Sequence, residues 1–197
     1  FQSFREHLFH KEKYGEPVDF EYHDLIPLFK GDKFNADEWA ELFYLAGAKF
    51  AGPVAEHHDG YAMWDSSISP WNAKDTGPCR DIVGELADSI RKKGLKFITT
   101  FHHARMGRAT SDSSERDKRK WHYYGREKYF ERALPGYKDS DELSKLYGTM
   151  PWDSFLKRWN KKLDEVIEQY RPDLIWFDSW LDRIPQKNRR EFVNKYL

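Results

Sequence analysis

Apolar residues recur at helical spacing in three places, and each time a short apolar run follows. Trp39, Leu42, Phe43 and Ala46 form the first stripe, and Asn35-Ala-Asp-Glu38 ahead of them is a capping-box pattern. Gly47 closes that helix, and Ala48 to Ala55 reads as a strand. Ile82, Val83, Leu86 and Ile90 mark a second helix, stopped at Gly94 and followed by the β-rich run Leu95–Phe101. Phe155, Trp159, Leu163, Val166 and Tyr170 mark a third, broken at Arg171-Pro172 and followed by Leu174–Phe177. A short helix near residues 2–8 and a last one from about Lys187 complete the set. The runs lack polar alternation, which predicts parallel strands buried on both faces by helices. Their carboxyl ends then share one rim, where the chemistry of parallel α/β folds collects.

The residues entering that rim are Glu56-His-His-Asp59, His102-His103-Ala-Arg105 and Asp178-Ser-Trp180. Asp178 follows an apolar run directly, so the strand fixes its backbone. It serves as nucleophile, base or metal ligand, or it merely caps the strand end. His57 and His58 would point to opposite faces on a strand; if the strand stops at Ala55, a turn aims both inward, with Asp59 available to anchor one ring, and a structural role in the core is the alternative. Two neutral imidazoles suit sugar hydroxyls near pH 7. A metal site built with His102, His103 and Asp178 is the rival, although the spacing fits neither a HExxH helix nor a Cys/His finger. Trp64, Trp71, Trp176 and Trp180 also fall near the rim. An indole face stacks on the C–H patch of a sugar ring; any single one of them fits a core better than a ligand wall, and it is the group of four beside the histidines and Asp178 that favours a sugar site. The loop around Asn72, Asp75 and Thr76 reads as scaffolding held by side-chain-to-backbone bonds.

Composition narrows the classes. The 197 residues carry 33 Lys+Arg against 33 Asp+Glu, a neutral balance that argues against a nucleic-acid or basic membrane-surface binder. No apolar stretch is long enough to span a bilayer. The single cysteine, Cys79, forms neither an internal disulfide nor a zinc motif, and leaves the redox compartment open. Aromatic residues at 17% exclude disorder and suit a large core or cleft. The residues from Phe1 carry no basic n-region followed by an apolar h-region, so no signal peptide is expected among them. The segment from about 103 to 150 is a long insertion, with a basic run at Arg116–Lys120 that reads as a solvated face.

Several stretches together resemble glycoside hydrolase family 29, the retaining α-L-fucosidases. They are FNADEWA from Phe34, AGAKFAGPVAEHHDGYAMWDS from Ala46, SPWNAKDTGPCRDIVGEL from Ser69, RKKGLKF from Arg91 and YRPDLIWFDSW from Tyr170. The resemblance implies an α/β fold, a (β/α)8-like TIM barrel of which residues 1–197 hold about strands two to four as one partial catalytic domain. It implies release of terminal α-L-fucose by double displacement, with Asp178 as nucleophile and His57, His58, Trp64 and Trp176 around the sugar. After GLKF the chain departs from the family, so Phe101 or His102 stands where a tyrosine near the sugar is expected. The family's first strand, with its His-Trp-Gly motif, is absent upstream. The acid/base is expected beyond Leu197, with Glu56 as a local stand-in.

No metal or organic cofactor is required by that chemistry. The implied partners are a fucosylated glycan or glycoside and the remainder of the catalytic domain or a second chain. The implied setting is periplasmic, secreted or lysosomal. An exo-glycosidase of other sugar preference, a non-catalytic sugar-binding barrel piece and a metal-dependent hydrolase remain the alternatives.

Overall fold

In the computed structural model, residues 5–16, 19–105, 141–148, 150–178 and 181–197 are described. Most of the insertion, its basic run and Trp180 lie outside them.

Helix α1 spans Arg5–Tyr14, longer and later than the sequence predicts, and a 3₁₀ turn follows at Tyr22–Leu28. Helix α2 spans Ala36–Leu45. Its N-cap is Asn35, whose side-chain oxygen accepts the amides of Asp37 and Glu38 at 3.1 and 3.2 Å. Glu38 returns to the Asn35 side-chain amide at 3.1 Å, whereas a capping box uses the backbone N–H. The predicted apolar stripe of α2 is not the buried one: Trp39, Leu42 and Ala46 are exposed and Phe43 is half-buried, while Ala36 and Ala40 are inside.

The expected first strand is two pieces, β1 (Phe50–Ala51) and β2 (Val54–Glu56). Both pair in parallel with β3 (Lys96–Phe101). Thr100 is flanked by Val54 on one side and by Trp176 of β4 (Leu174–Phe177) on the other. So β1 and β2 form one interrupted strand on one edge of β3, and β4 lies on the other edge, also parallel. The interruption falls at Gly52, where the chain crosses so close to β3 that an added Cβ would lie 1.6 Å from the Ile98 carbonyl oxygen. Only glycine permits that approach.

Helix α3 (Ile82–Lys92) is capped by Asp81, whose carboxylate accepts the Gly84 amide, and buries Ile82, Val83, Leu86, Ala87 and Ile90. A short helix α4 covers Asp141–Tyr147. Helix α5 (Trp152–Tyr170) buries Phe155, Leu156, Trp159, Leu163, Val166 and Tyr170, and ends on a left-handed Arg171 with φ 45°. Helix α6 is Gln186–Tyr196, as predicted.

The core lies between these helices and one face of the sheet. Phe97, Thr99 and Phe101 are buried, and Phe177 meets Trp159 of α5 and Phe192 of α6 with ring centroids 5.9 and 5.2 Å apart. The other face is open. Phe50, Val54, Leu174 and Trp176 are exposed, and Ile98 and Thr100 are half-buried. The expectation of strands buried on both faces is therefore corrected. Among the described residues helices cover a single face, and the sheet does not close into a barrel. Among them, too, no helix is long and apolar enough to cross a membrane.

Candidate functional site

The three parallel pairings place the carboxyl ends of β2, β3 and β4 together, so His57, His102 and Asp178 emerge side by side. β2 and β3 are tied at this end by the His102 amide, which donates to the Glu56 carbonyl at 2.9 Å. A tight turn follows, with Gly60 at φ 80° and its amide 3.4 Å from the His57 carbonyl. That turn brings both histidines to one place. The His57 ring lies 4.1 Å from that of His58 and 4.4 Å from that of His102, centroid to centroid. The His58 and His102 rings are 5.2 Å apart.

Asp178 Oδ2 is 3.4 Å from His102 Nδ1. Its carboxylate is 58% exposed, while the His102 side chain is 13% exposed. The Asp is thus open to an incoming molecule, with an imidazole behind it. Trp176 is two residues earlier, hence on the same face, and 57% of it is exposed. Asp59 is held by other partners. Its carboxylate accepts the Tyr61 amide at 3.0 Å and the Tyr22 hydroxyl at 2.7 Å, which pins the turn to the N-terminal segment.

Beneath the rim is a buried charged layer. Glu56 accepts a hydrogen bond from Lys162 of α5 at 2.7 Å, with their side chains 1% and 3% exposed. Burial pushes the Glu56 carboxyl up, and Lys162 opposes this. Burial likewise lowers the Lys162 ammonium and the nearby Arg158 guanidinium. His103 is stacked on Trp159 at 5.6 Å and is held well below its ordinary value by burial, then by Lys162. Glu56 is therefore no stand-in acid/base, because its carboxylate is sealed from solvent and ion-paired.

Trp64 is corrected too. It is fully buried, and its indole N–H donates to Glu165 of α5 at 2.9 Å. The same carboxylate accepts the Ser66 hydroxyl at 2.6 Å and the Ser67 amide at 2.7 Å. Trp64 thus anchors the loop after the histidines and forms no wall. Trp71 donates to the Glu142 carbonyl at 2.7 Å and packs edge-on against His23. The loop at Asn72 is scaffolding, as expected: Asn72 Oδ1 accepts the Lys74 and Asp75 amides at 3.0 and 2.9 Å.

The sequence pattern alone does not point to Lys162 and Glu165. One signal was present, since Lys162 falls on the apolar stripe of Phe155, Trp159 and Val166 and so had to be buried with a partner.

A parallel sheet backed by helices, with imidazoles and a carboxylate gathered at its strand ends, is the arrangement of a (β/α)-type enzyme rim. The sequence model of the alpha-L-fucosidase family matches residues 2–196, and the chain belongs to that family. Tissue alpha-L-fucosidase of Bos taurus is 36% identical over 178 residues, covering 87% of this chain and 30% of the relative. Plasma alpha-L-fucosidase of Homo sapiens is 32% identical over 173 residues, again covering 87% of this chain and 30% of the relative. The crystal structure of Thermotoga maritima alpha-fucosidase in complex with fucose aligns with a TM-score of 0.66 at 28% identity, over 96% of this chain and 38% of that one. The chain therefore spans about 30% of the length of the curated relatives it matches.

Proposed function

We propose that the chain is the nucleophile-bearing part of a retaining α-L-fucosidase barrel, holding about strands two to four, with Asp178 as the nucleophile. The observation that carries this is the 3.4 Å approach of Asp178 to His102 on a rim shared with His57 and His58. Asp178 attacks the anomeric carbon of the sugar and displaces the aglycone oxygen, forming a covalent glycosyl-enzyme. Water then attacks the same carbon, releasing the sugar with retained configuration and freeing the carboxylate. His57 and His58 hydrogen-bond sugar hydroxyls, and Trp176 stacks against the apolar edge of the ring.

A second carboxyl, about 5–5.5 Å from the nucleophile, protonates the leaving oxygen. With Glu56 sealed away, we place that group in a later part of the barrel, as the family resemblance implies. The exposed apolar row of Phe50, Val54, Leu174 and Trp176 supports the same reading, since it is the surface a closing set of strands would cover. The fragment alone is then inactive. The plasma enzyme among the relatives supports a setting outside the cytosol.

The test uses the full-length protein, treated with a 2-fluoro-fucosyl fluoride. The expected result is a fucosyl adduct on the peptide carrying Asp178, found by mass spectrometry. An adduct on another carboxylate would sink the assignment. Turnover of an aryl galactoside in preference to the fucoside would replace fucose with another sugar and leave the mechanism standing.

A further inference from the structure

The imidazoles of the rim can do more than bind hydroxyls. One nitrogen from each of His57, His58 and His102 falls within 4.8 Å of the other two. Zinc–nitrogen bonds of about 2.0–2.1 Å in a tetrahedral site put ligand nitrogens about 3.4 Å apart. Binding at that spacing requires the three rings to rotate inward. His57 is exposed and sits on the turn after β2, so an ion reaches it from solvent.

Asp178 faces Nδ1 of His102. That carboxylate–imidazole pairing is the one that orients a ligating histidine and raises its basicity. Three imidazoles suit zinc, copper and nickel, whereas magnesium and calcium prefer oxygen ligands.

We propose that His57, His58 and His102 bind one divalent transition-metal ion of the zinc, copper or nickel type, with Asp178 as the positioning carboxylate. The ion takes no part in glycoside cleavage. It occupies the nitrogens that the sugar hydroxyls would use, so metal and sugar exclude each other. The competition rests on the fucosidase reading, but the binding does not.

Copper(II) is titrated into the full-length protein, with calorimetry for affinity and electron paramagnetic resonance for the ligand set. One ion bound with nitrogen splittings from three imidazoles is the expected result, with no binding of magnesium. His57→Ala removes a surface ligand without touching the core, and should weaken binding at least about tenfold and lower the nitrogen count. Asp178→Asn should weaken it by roughly 10–100-fold, the usual effect of losing an orienting partner. His10→Ala, outside the cluster, should change nothing. Equal affinity and an unchanged spectrum in His57→Ala overturn the site, as does loss of binding in His10→Ala. Copper that binds as described while Asp178→Asn keeps full turnover would defeat the hydrolase reading and leave the metal site intact.

Discussion

His102 stands between Asp178 and His57, 3.4 Å from the carboxylate at Nδ1 and 4.4 Å from the other imidazole ring. The ends of three parallel strands thus meet through side chains that a substrate can touch. On the proposed mechanism, Asp178→Ala in the full-length protein should lower kcat on an aryl fucoside by on the order of 10³-fold or more, since Asp178 is there the attacking group. KM should change little by comparison. Steady-state kinetics check this, and a variant within tenfold of the parent would remove Asp178 from the chemistry.

Two tryptophans that look alike in the sequence should separate in experiment. Trp176 is exposed beside Asp178, and Trp176→Ala should raise KM while shifting stability by no more than about 0.5 kcal/mol. Trp64→Phe should leave KM alone. It strips the buried Glu165 of a donor and should cost about 1–3 kcal/mol in urea unfolding. The reverse pattern would return Trp64 to the pocket.

What the sequence reveals here follows from the range of the forces involved. Helix α3 is legible because Ile82, Val83, Leu86 and Ile90 repeat locally and Gly94 ends the pattern. β4 is legible because Leu174–Phe177 is bounded by Pro172 and Asp178. The break at Gly52 is hidden, because its cause is the Ile98 carbonyl on another strand. The open face of the sheet is hidden as well, since an apolar run looks the same whether or not anything covers it. At the site, His102 and Asp178 stand out as polar residues directly after apolar runs, and His57 and His58 as a pair one residue beyond Glu56. The pairing of Glu56 with Lys162 spans 106 positions, and no local pattern announces it.

That pairing predicts an asymmetric cost. Lys162→Met leaves Glu56 buried without its counter-charge, and should destabilise the protein by about 3–5 kcal/mol at pH 7. Glu56 then remains protonated in the folded state while ionising above its ordinary 4.5 in the unfolded chain. The folded form binds more protons, so the variant should lose stability as pH rises above that value. Glu56→Gln combined with Lys162→Met should recover much of the loss. Urea unfolding at pH 4.5, 6 and 7 measures all of this. A single variant as stable as the parent would show that the pair contributes nothing.

His103 should make the protein sensitive to acid. Burial and the neighbouring Lys162 keep its folded form neutral well below the ordinary 6.5. Below that pH the unfolded chain takes up a proton that the folded chain refuses. Stability therefore falls with acidification, by about 1.4 kcal/mol per pH unit from this residue until the folded group also titrates. His103→Phe keeps an aromatic ring on Trp159 and removes the titration, so its stability should decline less over the same range. Urea unfolding of parent and variant at pH 7, 6 and 5 compares the two slopes, and equal slopes would show that His103 carries no part of the acid response.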